Sequence, residues 1–288
     1  MNTSRGRFVI AIFLIMTLSL VEGCSRTRVM LEGQDTVSLP QRKIQITATL
    51  RQRNIFLKDI ETQPIEFRLV SGPETVKLHS LKKGMTDDEG VARAELFLPA
   101  TGLFEVETTF HGSKRFFPDK DNITILVLDP QKPVLVLDVD NTLTNKNWLH
   151  VNPFPIPYDR DTVRVVNGLS RRYAIVYLSA RPQPLHTLTE KWLKKYGFPN
   201  GPIILWYPSK LTWLKPSHFK EDQLLALRRS GVNLVAGIGN TESDIKVYRK
   251  AGMDPIMLGK QSKDTVCALN WAQIETILAD FDAKEPRP

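Results

Sequence analysis

The stretch Pro133–Val134–Leu135–Val136–Leu137–Asp138–Val139–Asp140–Asn141–Thr142 decides how the second half of the chain is read. An apolar run ends in two aspartates one residue apart, followed by a threonine. The run is too short for a typical helix and rich in β-branched residues, so it reads as a strand buried on both faces. Side chains alternate along a strand, which aims Asp138 and Asp140 the same way. Two carboxylates so aimed repel each other unless positive charge sits between them. The C-terminal end of such a strand is also where open α/β sheets bind ligands. A divalent metal and a phosphate would meet both conditions.

Further pieces follow in order along the chain. Tyr173–Ala174–Ile175–Val176–Tyr177–Leu178–Ser179 is a second apolar strand ending in a hydroxyl. Lys220 lies in His218–Phe219–Lys220, where a helix begins. A third strand, Asn233–Leu234–Val235–Ala236–Gly237–Ile238–Gly239, runs into Asn240–Thr241–Glu242–Ser243–Asp244. Helical segments are predicted between these strands at 160–172 and 182–196, with a closing helix at 270–280. The stripe Leu185, Leu188, Trp192, Leu193 and Tyr196 lies on one helical face and is core packing. Strands alternating with helices predict an α/β fold over residues 130–288, a parallel sheet with helices on both faces.

The series Asp-x-Asp-x-Thr, Ser, Lys, Gly-Asn-x-x-x-Asp resembles the four motifs of the haloacid dehalogenase (HAD) superfamily of phosphatases. Within it, Tyr177–Leu178–Ser179–Ala180–Arg181–Pro182, Gly197–Phe198–Pro199–Asn200–Gly201–Pro202 and Lys215–Pro216–Ser217–His218–Phe219–Lys220 are similar to the catalytic (LNS2) region of lipin-type phosphatidate phosphatases. The likeness covers roughly residues 131 to 260. Asn141 stands where lipins carry Gly, and Asn tolerates a left-handed backbone better than most residues. The resemblance implies a HAD-like Rossmannoid sheet and the following roles. Asp138 is the nucleophile and forms an aspartyl phosphate. Asp140 is the general acid and base. Mg²⁺ is held by Asp138, Asp244 and the Asp140 backbone carbonyl, with Asn240 acting through a water. Ser179 and Lys220 hold the phosphoryl oxygens. Thr142, on the substrate side, braces the loop, and Arg181 either touches the substrate or forms a salt bridge. Lys215 is the alternative to Lys220, and Glu242 the alternative to Asp244.

Little of the chain is left for a cap domain. Between Thr144 and Tyr173 a helix uses most residues, leaving an aromatic flap over 145–159 with Trp148, Pro153, Phe154, Pro155, Pro157 and Tyr158. This flap either meets lipid or packs on the core. An open site suits a large or membrane-held substrate. The implied reaction is Mg²⁺-dependent hydrolysis of phosphatidate to diacylglycerol at a membrane. Two alternatives stand beside it: a phosphatase of soluble nucleotide or sugar phosphates, and a non-catalytic lipid-binding surface protein. A binder would not need Asp140, which argues against the last.

Residues 1–23 read as a signal peptide, with Arg5 and Arg7 before an apolar segment from Phe8 to Val21 that is shorter than the ~20 residues of a membrane span. Val21–Glu22–Gly23–Cys24 resembles a bacterial lipoprotein cleavage box, apart from Glu22; an ordinary secretory signal or an uncleaved anchor is the alternative. Lipidation of Cys24 would tether the protein to a membrane, at the periplasmic face or cell surface. Ser25 after the cysteine points to the outer membrane in a cell that has one. The chain has two cysteines, so a lipidated Cys24 leaves Cys267 without a disulfide partner; Cys267 is expected to be a small buried apolar residue. Residues 24–40 read as a polar tether. Residues 41–129 read as an immunoglobulin-like β-sandwich, with strands at 44–50, 65–70, 91–96, 104–108 and 123–128. The formal charge of +8 favours anionic partners, including anionic lipid headgroups. Nucleic acid is disfavoured by the export signal and by the lack of a basic-aromatic motif.

Overall fold

In a computed structural model, the protein is described over residues 26–53, 58–73, 80–146, 156–207 and 216–284. The expected signal peptide, Cys24, Trp148, Phe154 and Lys215 lie outside the described residues.

The first half is all β. Strands β1 (Val29–Gly33), β3 (Lys43–Gln52) and β6 (Val91–Phe97) form one antiparallel sheet in the order β1-β3-β6. Strands β2 (Thr36–Ser38), β4 (Pro64–Ser71), β5 (Ser80–Met85), β7 (Gly102–Phe110) and β8 (Asp119–Val127) form a second, ordered β2-β8-β7-β4-β5. It is antiparallel except for β2, which runs parallel to β8. Alternation explains the pairing of the sheets. Ile44, Ile46, Ala48 and Leu50 point inward from one sheet, and Ile65, Phe67, Leu69, Phe104, Val106, Ile123 and Ile125 from the other, into a shared core. This is the expected sandwich, with one correction. The segment read as a polar tether supplies β1 and β2, and Val29, Leu31, Val37 and Leu39 are buried. Its apolar positions are few and interrupted by charge, so it forms strands only because distant partners complete them.

The second half carries a six-stranded parallel sheet among the described residues, ordered β11-β10-β9-β12-β13-β14. Its strands are β9 (Val134–Leu137), β10 (Ala174–Pro182), β11 (Ile203–Trp206), β12 (Leu234–Gly239), β13 (Asp254–Leu258) and β14 (Val266–Ala268). The helices are α1 (Thr162–Leu169), α2 (His186–Tyr196), α3 (Pro216–Arg229), α4 (Glu242–Lys250) and α5 (Trp271–Lys284). Strand β9 is buried throughout and shows the period of two: Leu135 and Leu137 join a core with α1, α2 and α5, whereas Val134 and Val136 join one with α3 and α4. Helix α2 ends at Gly197, whose φ of 76° is left-handed, and the N–H of Phe198 folds back to the Leu193 carbonyl at 3.0 Å. Cys267 departs from expectation. It sits on edge strand β14, partly exposed, with Sγ near the backbone of Ser262 and Thr265.

The two halves meet along β11, a sheet edge that would otherwise leave backbone groups unpaired. Asp35, between β1 and β2, covers it. Its Oδ2 accepts the Ile203 N–H at 2.8 Å and lies 3.1 Å from Nε2 of His186, while Oδ1 accepts the Thr124 N–H at 2.7 Å. Beside it, Gln183 donates to the Gly33 carbonyl at 2.7 Å. Val37, Leu39 and Leu128 extend the α3–α4 core into the β half.

Candidate active site

The ends of β9, β10 and β12 lie next to one another, because the sheet order places β9 between the other two. Asp138 follows β9 directly, and its N–H is held by the Ile238 carbonyl of β12 at 3.0 Å. The chain then turns through Asn141, whose φ is 54°. This is the left-handed residue that the loop requires, and Asn meets it. Thr142 closes the turn. Its hydroxyl donates to Asp138 Oδ2 at 3.0 Å, and its carbonyl accepts the Trp271 indole N–H at 3.0 Å. Thr142 is fully buried, so it braces the loop rather than facing a substrate.

Lys220 enters from α3 and bridges two carboxylates. Its Nζ lies 2.7 Å from Asp138 Oδ1 and 2.6 Å from Asp244 Oδ1, and all three residues are buried. Asp244 is positioned by its own helix. It is the third residue of α4, and with Thr241 it forms a reciprocal cap: the Asp244 N–H donates to Thr241 Oγ1 at 3.1 Å and the Thr241 hydroxyl donates to Asp244 Oδ2 at 2.6 Å. Gly239 is required here, since a Cβ at that position would lie 2.6 Å from the Asp244 Cβ.

Burial sets the charges. It works against an ammonium at Lys220, but the carboxylates of Asp138 and Asp244 outweigh it and hold the lysine well above its ordinary range. Burial pushes Asp138 up to about 6, opposed by Lys220 and reinforced by Asp244. Burial also pushes Asp244 upward, but Lys220 and the Thr241 cap overcome it and hold Asp244 below the usual carboxylate range. The two carboxylates therefore play different parts. Asp244 anchors the lysine, whereas Asp138 holds a proton more readily.

Asp140 has a different cation. Both of its oxygens face Arg181, with Nε to Oδ2 at 3.0 Å and Nη2 to Oδ1 at 2.9 Å. Asp138 and Asp140 thus do not share one positive charge; each has its own. Arg181 forms this partly buried ion pair rather than an exposed one. Ser179 lies two residues before it, almost fully buried, and its Oγ accepts the Arg181 N–H at 3.4 Å. Asn240 is half-buried at the β12 terminus. Asp138, Asp140, Ser179, Lys220, Asn240 and Asp244 are therefore on adjacent elements. Sequence reasoning missed Thr189, Trp271 and Asp159 around this centre. Asp159 accepts the N–H groups of Thr162 at 2.8 Å and Trp271 at 2.9 Å, tying α1 to α5. An Asp before a helix is the only local sign of it.

Residues 135–257 match the family model described as PITM 1-3, LNS2 domain. Over this segment the chain is similar to an LNS2 domain. The match spans the Asp138, Ser179, Lys220 and Asp244 motifs together. Among solved structures, a HAD-superfamily hydrolase from Geobacter sulfurreducens PCA is 13% identical, with a TM-score of 0.37, over 51% of this chain and 98% of that one. A haloacid dehalogenase-like family protein from Streptococcus pneumoniae is 13% identical, with a TM-score of 0.36, over 53% and 100%. A chain of the Pnkp1/Rnl/Hen1 RNA repair complex is 18% identical, with a TM-score of 0.34; the match covers 41% of this chain and only 39% of that one. No curated protein matches the chain.

Proposed function

We propose that the protein is a Mg²⁺-dependent phosphomonoesterase working through an aspartyl phosphate, with phosphatidate at a membrane as substrate. The buried Asp138–Lys220–Asp244 bridge carries the mechanism. A carboxylate braced on Thr142, beside a fixed ammonium, suits attack on an anionic phosphoryl group. An Asp138 oxygen attacks phosphorus as the bond to the leaving oxygen breaks, and Asp140 gives that oxygen a proton. Water then attacks the aspartyl phosphate, gives its proton to Asp140, and phosphate leaves as the bond to Asp138 breaks. Lys220 and Ser179 stabilise the phosphoryl oxygens.

The donor set is all oxygen, as Mg²⁺ prefers. Asp138, the Asp140 carbonyl and Asn240 are the residues that would hold the ion. Asp244 would join them: Lys220 and Thr241 engage its oxygens just as Lys220 and Thr142 engage those of Asp138. Bound Mg²⁺ would neutralise phosphoryl charge during transfer.

Support for a lipid substrate comes from the likeness to lipin-type catalytic segments, the basic balance of the chain and the Cys24 box, which together would hold the site near anionic lipid. Among the described residues no helix is long and apolar enough to cross a membrane; the tether in this reading is a lipid-modified Cys24. The test is phosphate release from phosphatidate micelles and from a panel of nucleotide and sugar phosphates, with Mg²⁺ or EDTA. Faster kcat/KM on phosphatidate is expected; faster turnover of any soluble ester would reassign the substrate, and activity in EDTA would remove the metal.

A further inference from the structure

We propose that Arg181 is the positioning residue that aims Asp140 at the leaving oxygen. The inference rests on the phosphatase reading above and adds a residue to its acid–base step. Three observations carry it. Arg181 holds Asp140 through a two-pronged fork, 3.0 and 2.9 Å, and such a fork fixes the plane of a carboxylate as well as its distance. The guanidinium is itself held from behind: Nη1 donates to Thr189 Oγ1 at 3.0 Å, and that hydroxyl donates to the Leu185 carbonyl at 2.8 Å. Thr189 is fully buried, so this support does not yield to solvent. Finally, the β10–β11 register shifts between Ser179 and Pro182, so the ladder is irregular where Arg181 sits. Irregularities of this kind re-aim side chains beside functional sites.

Direct binding of the substrate phosphate by Arg181 is the competing role, and the geometry disfavours it. The two N–H groups forming the fork are spent on Asp140 and a third is spent on Thr189. Asp140 stands two residues after the nucleophile on a turn containing a left-handed residue, where its direction would otherwise be loosely set. The fork supplies that direction. In the first step the bond between phosphorus and the leaving oxygen breaks as Asp138 attacks, and the proton on Asp140 moves to that oxygen. A misaimed Asp140 slows this step for an alkoxide, which needs the proton. It matters far less for p-nitrophenolate, which leaves without one.

The experiment uses the full chain with Mg²⁺ and compares wild type, Arg181→Gln, Arg181→Lys and Thr189→Val on an alkyl phosphate, phosphatidate in mixed micelles, and on p-nitrophenyl phosphate. Inorganic phosphate serves as a competitive inhibitor to report phosphoryl binding. Arg181→Gln should lower kcat/KM on the alkyl ester by about 10²-fold, the low end for general acid catalysis. The loss on the aryl ester should be at least tenfold smaller, with inhibition by phosphate unchanged. Arg181→Lys keeps the charge but not the fork and should remain slow. Thr189→Val removes one supporting bond and should show the same split at smaller amplitude, which covers the case of a misfolded arginine variant. In an Asp140→Asn background, Arg181→Gln should cost little more. Equal losses on both esters, weakened phosphate inhibition, or additive losses with Asp140→Asn would overturn the assignment. A wild type inactive on both esters defeats the phosphatase reading, and this inference with it.

Discussion

Lys220 is the residue on which the centre turns. Three buried charges lie within hydrogen-bonding distance, and the ammonium is what makes the two carboxylates compatible. Removing one member of a buried charged network costs about 3–5 kcal/mol, because the remaining charges lose their partner. Lys220→Met is therefore expected to unfold at clearly lower urea concentration than wild type in EDTA, and Mg²⁺ should restore part of the loss by taking over neutralisation. An unshifted midpoint in EDTA would show that the bridge carries no weight. Asp138→Asn is the complementary change. It keeps shape and loses the proposed nucleophile, so turnover should fall below a few per cent of wild type while the urea midpoint stays near or above it, since the residue no longer holds a buried carboxylate. The motif residues were legible because each is local: an aspartate after an apolar strand, a lysine at a helix start. The Arg181 fork was not, because the sequence leaves a salt bridge and a substrate contact equally open until β9 and β10 are seen side by side.

The strand-to-helix turn from β12 to α4 binds chemistry to local structure. Gly239 lets the chain pass Asp244, Thr241 caps the helix, and the cap also fixes the carboxylate that anchors Lys220. Losing a threonine cap costs about 1 kcal/mol. Thr241→Ala should show that cost in denaturant unfolding and also slow catalysis, because Asp244 is freed to swing away from Lys220. Thr241→Ser keeps the hydroxyl and should recover both; if activity is unchanged in the alanine variant, Asp244 does not depend on its cap. Strong periodicity made β9 readable from sequence, and most of the α2 stripe: Trp192 and Leu193 are in the core with Tyr196 packed beside them, but Leu188, expected there too, is exposed. Strands β1 and β2 were not readable. Each is short, and Glu32, Gly33 and Asp35 interrupt the apolar pattern, so their strand character comes from pairing with β3 and β8 far along the chain. Strand β14 hid for the same reason, and with it the partial exposure of Cys267.

At the scale of the whole molecule, the sandwich and the α/β half are joined by buried ionisable groups, and this makes their union pH-dependent. Burial alone would push the His186 imidazole down; the carboxylate of Asp35, with Asp121 and Glu190 behind it, outweighs burial and holds it at about 9. An unfolded histidine titrates near 6.5. A raised histidine pKa stabilises the fold fully below about pH 6.5, and that contribution is lost as pH rises through about 9. Its size is about 3 kcal/mol. Neighbouring acids act in the same direction. Burial lifts Glu32 to about 7 and Asp121 to about 6, so each is at ease as the neutral acid and costs stability as pH climbs through its folded value. Wild type should therefore lose urea resistance steadily from pH 6 to pH 9.5. His186→Gln retains a side chain that can hydrogen-bond Asp35 but cannot carry the charge. It should be weaker than wild type at pH 6, and its loss between pH 7 and pH 9.5 should be much the smaller of the two. Parallel pH curves for the two proteins would mean that the imidazole at this junction is neutral in the folded state, and that Asp35 holds the β11 edge through the Ile203 N–H alone.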